Sequence, residues 1–503
     1  MKLPHALLIA LSFTIFLSEA ATAQQIDEYA RLQDALSKAD KAHDEKALAQ
    51  ACFALGKALA EDNRLDSAMP HLERALELDK KLGARSEVFE DYIAIAIVLG
   101  HQKRFDQAAQ IYKTAMADAR AQGNDKFLVR LTNDLAGLYV HAGKIDEATA
   151  LYNEAIATSS KGQDFVGEAQ ARLSLAMILS RAGKRVEAII ALDKAGECLG
   201  KDPEPLVVAQ IAFNKANLLD ALGQSSQAQI FFEQAAAAFA KAGEFGRQAQ
   251  SLVNLGNSLM VSGSTLQASK VYAQACDLLD QDGNLKQLAQ AKIRYGAAMA
   301  DLGKFDEAHR LHQQAIDLAK QTKDETLVAN ARYEDCLDLY LAGSVDKATS
   351  GFIQLEASLD KAQSSANKSS AAVLADTRAA IARCYQSTGK NKQALDYLTL
   401  VDKYYRAADN KLGALSASNS IACVYLESGQ MASYLRQYDA IKALAASVPD
   451  TQKDTREYAR INGNIQYNWS QYLLLQDKYA DALTACQSAL KSFEKSQDAR
   501  GRL

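Results

Sequence analysis

Alanine recurs along this chain at a fixed interval. Ala68, Ala108, Ala148, Ala188, Ala228, Ala268, Ala308 and Ala348 follow one another at steps of 40 residues. Seven residues after each, from the first to the seventh, stands a second column: Ala75, Ala115, Ala155, Ala195, Ala235, Ala275 and Ala315. Between the two columns sits a large residue, as in Leu72, Tyr112, Tyr152, Leu192, Phe232, Tyr272 and Phe352. Offsets of 0, 4 and 7 share one face of an α-helix, so each period predicts a helix with a small-large-small packing stripe.

A glycine column precedes six of these helices: Gly143, Gly183, Gly223, Gly263, Gly303 and Gly343. Glycine there is expected to end an earlier helix in a left-handed C-cap. The turns then read Gly-Lys-Ile-Asp-Glu-Ala at 143–148 and Gly-Lys-Phe-Asp-Glu-Ala at 303–308, which places Asp146 and Asp306 to cap the helix that follows. Upstream lies another helical stretch, such as Ala249 to Leu259. Its small position recurs as Gly56, Ala96, Ala136, Ala176, Ala216, Gly256 and Gly296, and predicts close approach of the two helices of a pair.

This helix-turn-helix unit, with Leu255-Gly256, Gly263, Ala268, Tyr272 and Ala275, resembles the tetratricopeptide repeat in a long, 40-residue variety. The resemblance implies an all-α, right-handed α-solenoid of stacked antiparallel helix pairs, about eleven in number. After Ala348 the register slips. The next equivalents are Ala394, Tyr434 and Ala482, with polar insertions expected at Lys361–Ser370 and around Ser447–Asp450. The chain therefore divides into a leader at 1–23, a partial capping repeat at 24–45, a regular array at 46–361 and degenerate repeats at 362–503.

The resemblance also implies that the first helices line a concave face where peptides bind. On that stripe the sequence carries a column of amides: Gln50, Gln170, Gln210, Gln250, Gln290 and Asn330. Four residues on stand Asp134, Ser174, Asn214, Asn254, Arg294 and Glu334, and Asn217 and Asn257 follow three later. An amide both donates and accepts, so a ladder of them suits the backbone of an extended peptide. The expected site is Gln170, Gln210, Asn214, Asn217, Gln250, Asn254, Asn257, Gln290, Arg294 and Asn330. The bland alternative is that these amides bond within the array or face water. Arg130, Arg172, Arg181, Lys292 and Arg332 flank the ladder among carboxylates, a mixture typical of a solvated face.

Composition narrows the function further. Lys plus Arg number 57 and Asp plus Glu 61, a net charge of −4, which disfavours a nucleic-acid partner. Five prolines in 503 residues suit long helices. Residues 1–23 differ from the rest: Lys2, a largely apolar run from Ala6 to Leu17, then Ala21-Thr22-Ala23 before Gln24. This reads as a secretory leader cut between Ala23 and Gln24, too short for a membrane span of about 20 residues. The mature protein is then expected in the periplasm or outside the cell, with no stable membrane span. Seven scattered cysteines form no disulfide framework. Cys336, Cys384 and Cys423, at similar heights in successive first helices, are those a bridge would join.

No phosphate loop, His-Glu-x-x-His or Gly-x-Ser-x-Gly motif occurs. His309 and His312 lie one turn apart, but His312 falls in the large-residue packing column and no further ligand completes a metal site. The expected function is a non-enzymatic scaffold for a protein or extended peptide, without cofactor or metal. The alternative is a structural assembly subunit that self-associates through its C-terminal end.

Overall fold

The computed structural model describes residues 29–200, 203–362 and 368–496, so the expected leader and its expected cleavage position lie outside the described residues. Everything described is helix and short turn. Helix α1 covers 29–42. Pairs then follow in order: α2 Glu45–Glu61 with α3 Leu65–Leu82, α4 Arg85–His101 with α5 Phe105–Ala121, α6 Asp125–His141 with α7 Ile145–Gly162, α8 Phe165–Arg181 with α9 Arg185–Cys198, and α10 Pro205–Ala221 with α11 Ser225–Lys241. They continue as α12 Phe245–Val261 with α13 Thr265–Asp282, α14 Leu285–Asp301 with α15 Phe305–Gln321, α16 Glu325–Leu341 with α17 Val345–Ala362, and α18 Lys368–Ser387 with α19 Asn391–Ala407. The last are α20 Lys411–Glu427 with α21 Met431–Ser447, the single turn α22 Asp450–Lys453, and α23 Arg456–Leu474 with α24 Tyr479–Ser496. The chain forms two compact units, Met1–Leu218 and Leu219–Leu503.

The architecture is the expected all-α solenoid of stacked pairs. Within each unit a second helix packs between the first helices on either side of it. First helices of successive pairs also touch, as α4 with α6, α6 with α8, α12 with α14, α14 with α16 and α16 with α18. They therefore form the inner layer of each unit.

The alanine columns are the seams. Ala68, Ala108, Ala148, Ala188, Ala228, Ala268, Ala308 and Ala348 are all completely buried. Between the helices of a pair, the large residue of the second meets the small residue of the first. A Cβ added at Gly56 would stand 2.7 Å from Leu72, and one at Gly256 would stand 2.5 Å from the Tyr272 ring. These are contacts that side chains do not tolerate without displacement. The glycine column that ends the first helices has φ between +76° and +80° from Gly143 to Gly343, the left-handed region that glycine enters without strain.

Capping differs from the sequence expectation. Asp146 and Asp306 are not N-caps. Lys144 and Lys304 hold those positions without a side-chain bond, and the two aspartates sit inside the first turn. The turn after each glycine is so short that the helix has begun before the aspartate arrives. Its carboxylate then faces the positive helix end without capping it. Side-chain caps occur instead on first helices. Asp44, Asn124, Asp164, Asn284 and Asp324, another column at multiples of 40 residues, each accept from the backbone N–H three residues on, at 3.0–3.3 Å.

The late repeats keep the pairing but change the filling. Tyr434 is fully buried where the column elsewhere has alanine. It joins a ring stack with Tyr472 at 5.1 Å, while Tyr438 lies on Trp469 at 4.2 Å with planes 3° apart. The insertion after Ser447 contains α22, and α23 packs back onto α20. All seven cysteines are free, and no described helix is long and apolar enough to cross a membrane.

One polar pair is buried between α3 and α4. Asp79 and Asp91 are 6% and 1% exposed. Their carboxyls share a hydrogen bond, and Asp91 Oδ2 has no partner. Burial first, then the charge of Asp79, pushes the Asp91 carboxyl up to about 8. A raised folded-state value means that the stabilising form is the protonated one. Its contribution is complete below the ordinary carboxylate range and is lost as pH climbs through about 8.

Two outcomes follow from this packing. Gly256→Ala should destabilise the protein by about 1–3 kcal/mol, read as a lower urea midpoint, because the Tyr272 ring has no room to withdraw. Asp91→Asn should raise the thermal midpoint by about 2–4 °C at pH 8 and by progressively less towards pH 4, measured by circular dichroism. A gain independent of pH would contradict the shared-proton arrangement.

Candidate functional site: an amide-lined groove in the second unit

Four successive first helices, α12, α14, α16 and α18, build a groove of about 530 Å³ in the second unit. Six of the ten sequence-predicted site residues line it. Gln250, Asn254 and Asn257 come from α12, Gln290 and Arg294 from α14, and Asn330 from α16. Spacing explains the convergence, since equivalent positions of equivalent helices repeat along the inner layer. Between the polar rungs the floor is apolar, with Val253, Ile293, Leu327 and Val373. Tyr333, Glu334 and Asp376 complete the lining. The other four predicted residues, Gln170, Gln210, Asn214 and Asn217, belong to the first unit and take no part in this groove.

The amides are not equivalent. Gln250 Nε2 donates to Asn254 Oδ1 at 3.1 Å, which fixes neighbouring rungs relative to each other. Asn257 accepts from the Tyr272 hydroxyl at 2.7 Å, so it ties the groove to the buried seam behind it. Gln290 and Asn330 are exposed. In the first unit, Asn214 and Asn217 each donate to the carbonyl four residues back, both at 2.8 Å. That is the self-bonded alternative raised by the sequence. The flanking cations are largely engaged as well. Arg130 grips Glu90 through two bonds at 2.5 and 3.1 Å, Arg172 bonds Glu168 at 2.5 Å, and Lys292 donates to Gln314 at 3.0 Å.

Carboxyls on the groove wall are perturbed. Burial is the largest cause in both Glu334 and Asp376 and raises both pKa values, against the lowering influence of neighbouring cations such as Arg294 at Glu334 and Arg383 at Asp376. Charge on these two carboxyls is therefore costlier than on exposed ones.

Behind the groove, His312 of α15 occupies the packing column and is fully buried. Its Nδ1 lies 2.6 Å from Asp338 Oδ2 on α16, and its Nε2 lies 3.1 Å from the Ile293 carbonyl on α14. The Ile293 carbonyl can only accept, and with Asp338 ionised both ring nitrogens donate, which makes the ring an imidazolium paired with a carboxylate that burial itself raises. Burial by itself would lower the histidine's pKa. The Asp338 bond and charge together with the carbonyl outweigh it and hold the value above the usual one. His309 has a separate partner, Asp335, 2.5 Å away, which also accepts from Gln313. Among the described residues no cluster of three or more metal-binding side chains forms.

Sequence reasoning missed Asp376 and Tyr333. Asp376 was findable: it stands 46 residues after Asn330, the same step that separates Ala348 from Ala394. It is the next rung of the ladder, displaced by the six-residue insertion. Tyr333 was findable too, since it continues the floor column Val253 and Ile293 at the 40-residue step.

Comparison with known proteins places the repeat. Residues 92–161 match one tetratricopeptide repeat model, and residues 49–82 and 209–240 match another. No curated protein matches the chain. Among solved structures, a Rap protein complexed with competence and sporulation factor is 13% identical, covering 74% of this chain and 99% of that one, with a TM-score of 0.44. Aspartyl phosphate phosphatase F from Bacillus subtilis is 14% identical over 75% of this chain and 95% of its own, with a TM-score of 0.47. The apo quorum sensor NprR from B. thuringiensis is 14% identical over 73% and 99%, with a TM-score of 0.46.

The ion pair behind the groove is open to direct measurement. His312→Leu should cost about 3–5 kcal/mol of stability, because it strands the Asp338 carboxylate in the interior. His312→Leu combined with Asp338→Leu should recover a large part of that loss in urea titrations. Equal losses in the single and double variants would mean that the pair is not coupled.

Proposed function

This chain is a tetratricopeptide repeat protein, and from that premise we propose that it is a non-enzymatic scaffold holding an extended peptide segment of a partner protein in the groove of its second unit. The observation that carries the reading is the alignment of Gln250, Asn254, Gln290 and Asn330 along one groove, on three successive first helices. Side-chain amides satisfy backbone donors and acceptors alike, so they hold an extended chain with little regard to its sequence. The apolar floor between the rungs takes up side chains and excludes water.

The leader at residues 1–23 supports a protein that works after export, in the periplasm or outside the cell. The balanced charge supports a protein or peptide as partner in preference to a nucleic acid. The second reading, a structural subunit that assembles through its C-terminal pair, draws on a run of exposed apolar residues on α24. Tyr479, Leu483 and Leu490 are 66%, 61% and 45% exposed.

One experiment separates the two. The protein would be used as bait on its own envelope fraction beside a variant carrying Asn254→Ala, Gln290→Ala and Asn330→Ala. The expected result is a partner retained by the wild type and depleted about tenfold or more by the variant, with melting unchanged. A partner retained equally by both would refute the amide groove. Recovery of nothing but further copies of the chain would favour the assembly reading.

A further inference from the structure

The amide groove does not end at α18. At Tyr333 and Asp376 it meets a second groove of about 350 Å³, and both residues line both cavities. Across that junction the chemistry changes. The first groove presents a row of amides. The second presents two guanidinium groups, Arg383 from α18 and Arg460 from α23. We propose that this second groove is an anion-accepting subsite, in which Arg383 and Arg460 receive the carboxylate side chains of an acidic stretch in the same peptide whose backbone lies along the amides. The inference rests on the peptide-scaffold reading and adds the charge of the partner to it.

The pairing habits of the surrounding arginines support the assignment. Arg378, also on α18, is closed by Glu356 at 2.8 Å and Asp360 at 3.0 Å. Arg406 is closed by Asp402 at 2.6 Å. In contrast, Arg383 bonds the Tyr333 hydroxyl at 3.3 Å and forms no ion pair, and Arg460 has neither an ion pair nor a hydrogen bond among the described residues. A guanidinium offers five N–H donors in a planar fork that matches a carboxylate, so most of the donor capacity facing this groove is unspent.

The groove's own carboxyls do not cancel that capacity. Asp376 accepts from the Tyr405 hydroxyl at 3.3 Å and forms no ion pair with Arg383, while burial raises its carboxyl above the usual range. Glu457 is exposed at the start of α23 and makes no ion pair with Arg460. Neither of the two carboxyls that line this groove closes on a guanidinium in an ion pair.

The test uses fluorescence anisotropy of the purified protein with three fluorescein-labelled pools of nine-residue peptides. One pool is of mixed neutral composition. The other two differ from it only in carrying aspartate at the first three or at the last three positions. One acidic pool should bind about tenfold tighter than the neutral pool in about 50 mM NaCl, and most of that advantage should vanish at about 500 mM, as exposed charges are screened. The double variant Arg383→Gln/Arg460→Gln should bind all three pools with the wild type's affinity for the neutral one. Asn254→Ala/Asn330→Ala should weaken every pool by the same factor. Equal wild-type affinity for all pools, or an acidic preference that survives in the double glutamine variant, overturns the anionic subsite and leaves the amide groove standing. Failure of the wild type to bind any pool overturns the amide groove and the subsite with it.

Discussion

Everything in this molecule hangs on how closely the two helices of a pair approach. The large residue of each second helix is pressed against a small residue of the first, at Gly56 under Leu72 and at Gly256 under Tyr272, with no space for one more carbon. Individually such contacts are worth a fraction of a kcal/mol per atom pair, roughly 0.1–0.2. Their effect is geometric as much as energetic. Within a unit, pairs closed by the same kind of seam stack alike, so a residue type repeated every 40 positions recurs on the same layer of successive first helices. The amide row exists because the seam behind it is uniform. In a solenoid each repeat meets only its neighbours, so a local error in the seam would displace every rung beyond it.

That uniformity decides what was legible. The alanine, glycine and large-residue columns were readable because they share one period, and the structure places them in the seams, turns and packing faces that this period implies. Gln250, Asn254, Gln290 and Asn330 were readable for the same reason. Where the period breaks, so does the reading. Asp376 continues the row at 46 residues in place of 40, and Arg460 is carried to its groove by α23, which follows the insertion containing α22 and packs onto α20. No spacing rule connects Arg383 with Arg460. The caps fail differently. Asp146 and Asp306 have the right identity for an N-cap but lie inside their helices, because the preceding turn is short. The true caps, Asp44 to Asp324, stand immediately before the first helices, and only Asn124 and Asn284 of them follow a glycine. Asn214 and Asn217 show a further limit, since an amide that bonds its own helix and one that faces a groove are identical in sequence.

His312 shows how the array accommodates a departure from its own rule. A histidine in an apolar column has two ring nitrogens to satisfy, and both are satisfied by neighbours on either side, Asp338 from α16 and the Ile293 carbonyl from α14. The pair offers little net stability over a well-packed tyrosine, since desolvating two charges offsets much of their attraction. What it adds is directional. Leu72, Leu192, Phe232 and Phe352 of the column hold their helices by shape alone, and Tyr272 bonds through one hydroxyl only. An imidazolium bonded at both ends fixes the rotation of α14 and α16 about their axes, and these are the helices that carry Gln290, Arg294, Asn330 and Glu334.

A fixed wall matters because of what the ladder has to bind. An extended peptide loses backbone freedom worth about 1–2 kcal/mol per residue when it is held, and each hydrogen bond to an amide returns a similar amount at best. Side-chain amides that also had to be ordered would turn that near-balance into a loss. Gln250 and Asn254 already bond to each other, and Asn257 is held by Tyr272. The first rungs are thus ordered before any partner arrives, whereas Gln290 and Asn330 stand exposed. Binding that begins on the ordered rungs and extends towards Tyr333 meets its ordering cost gradually. It reaches the guanidiniums of the second groove last, where a charge on the incoming chain contributes most to discrimination between partners.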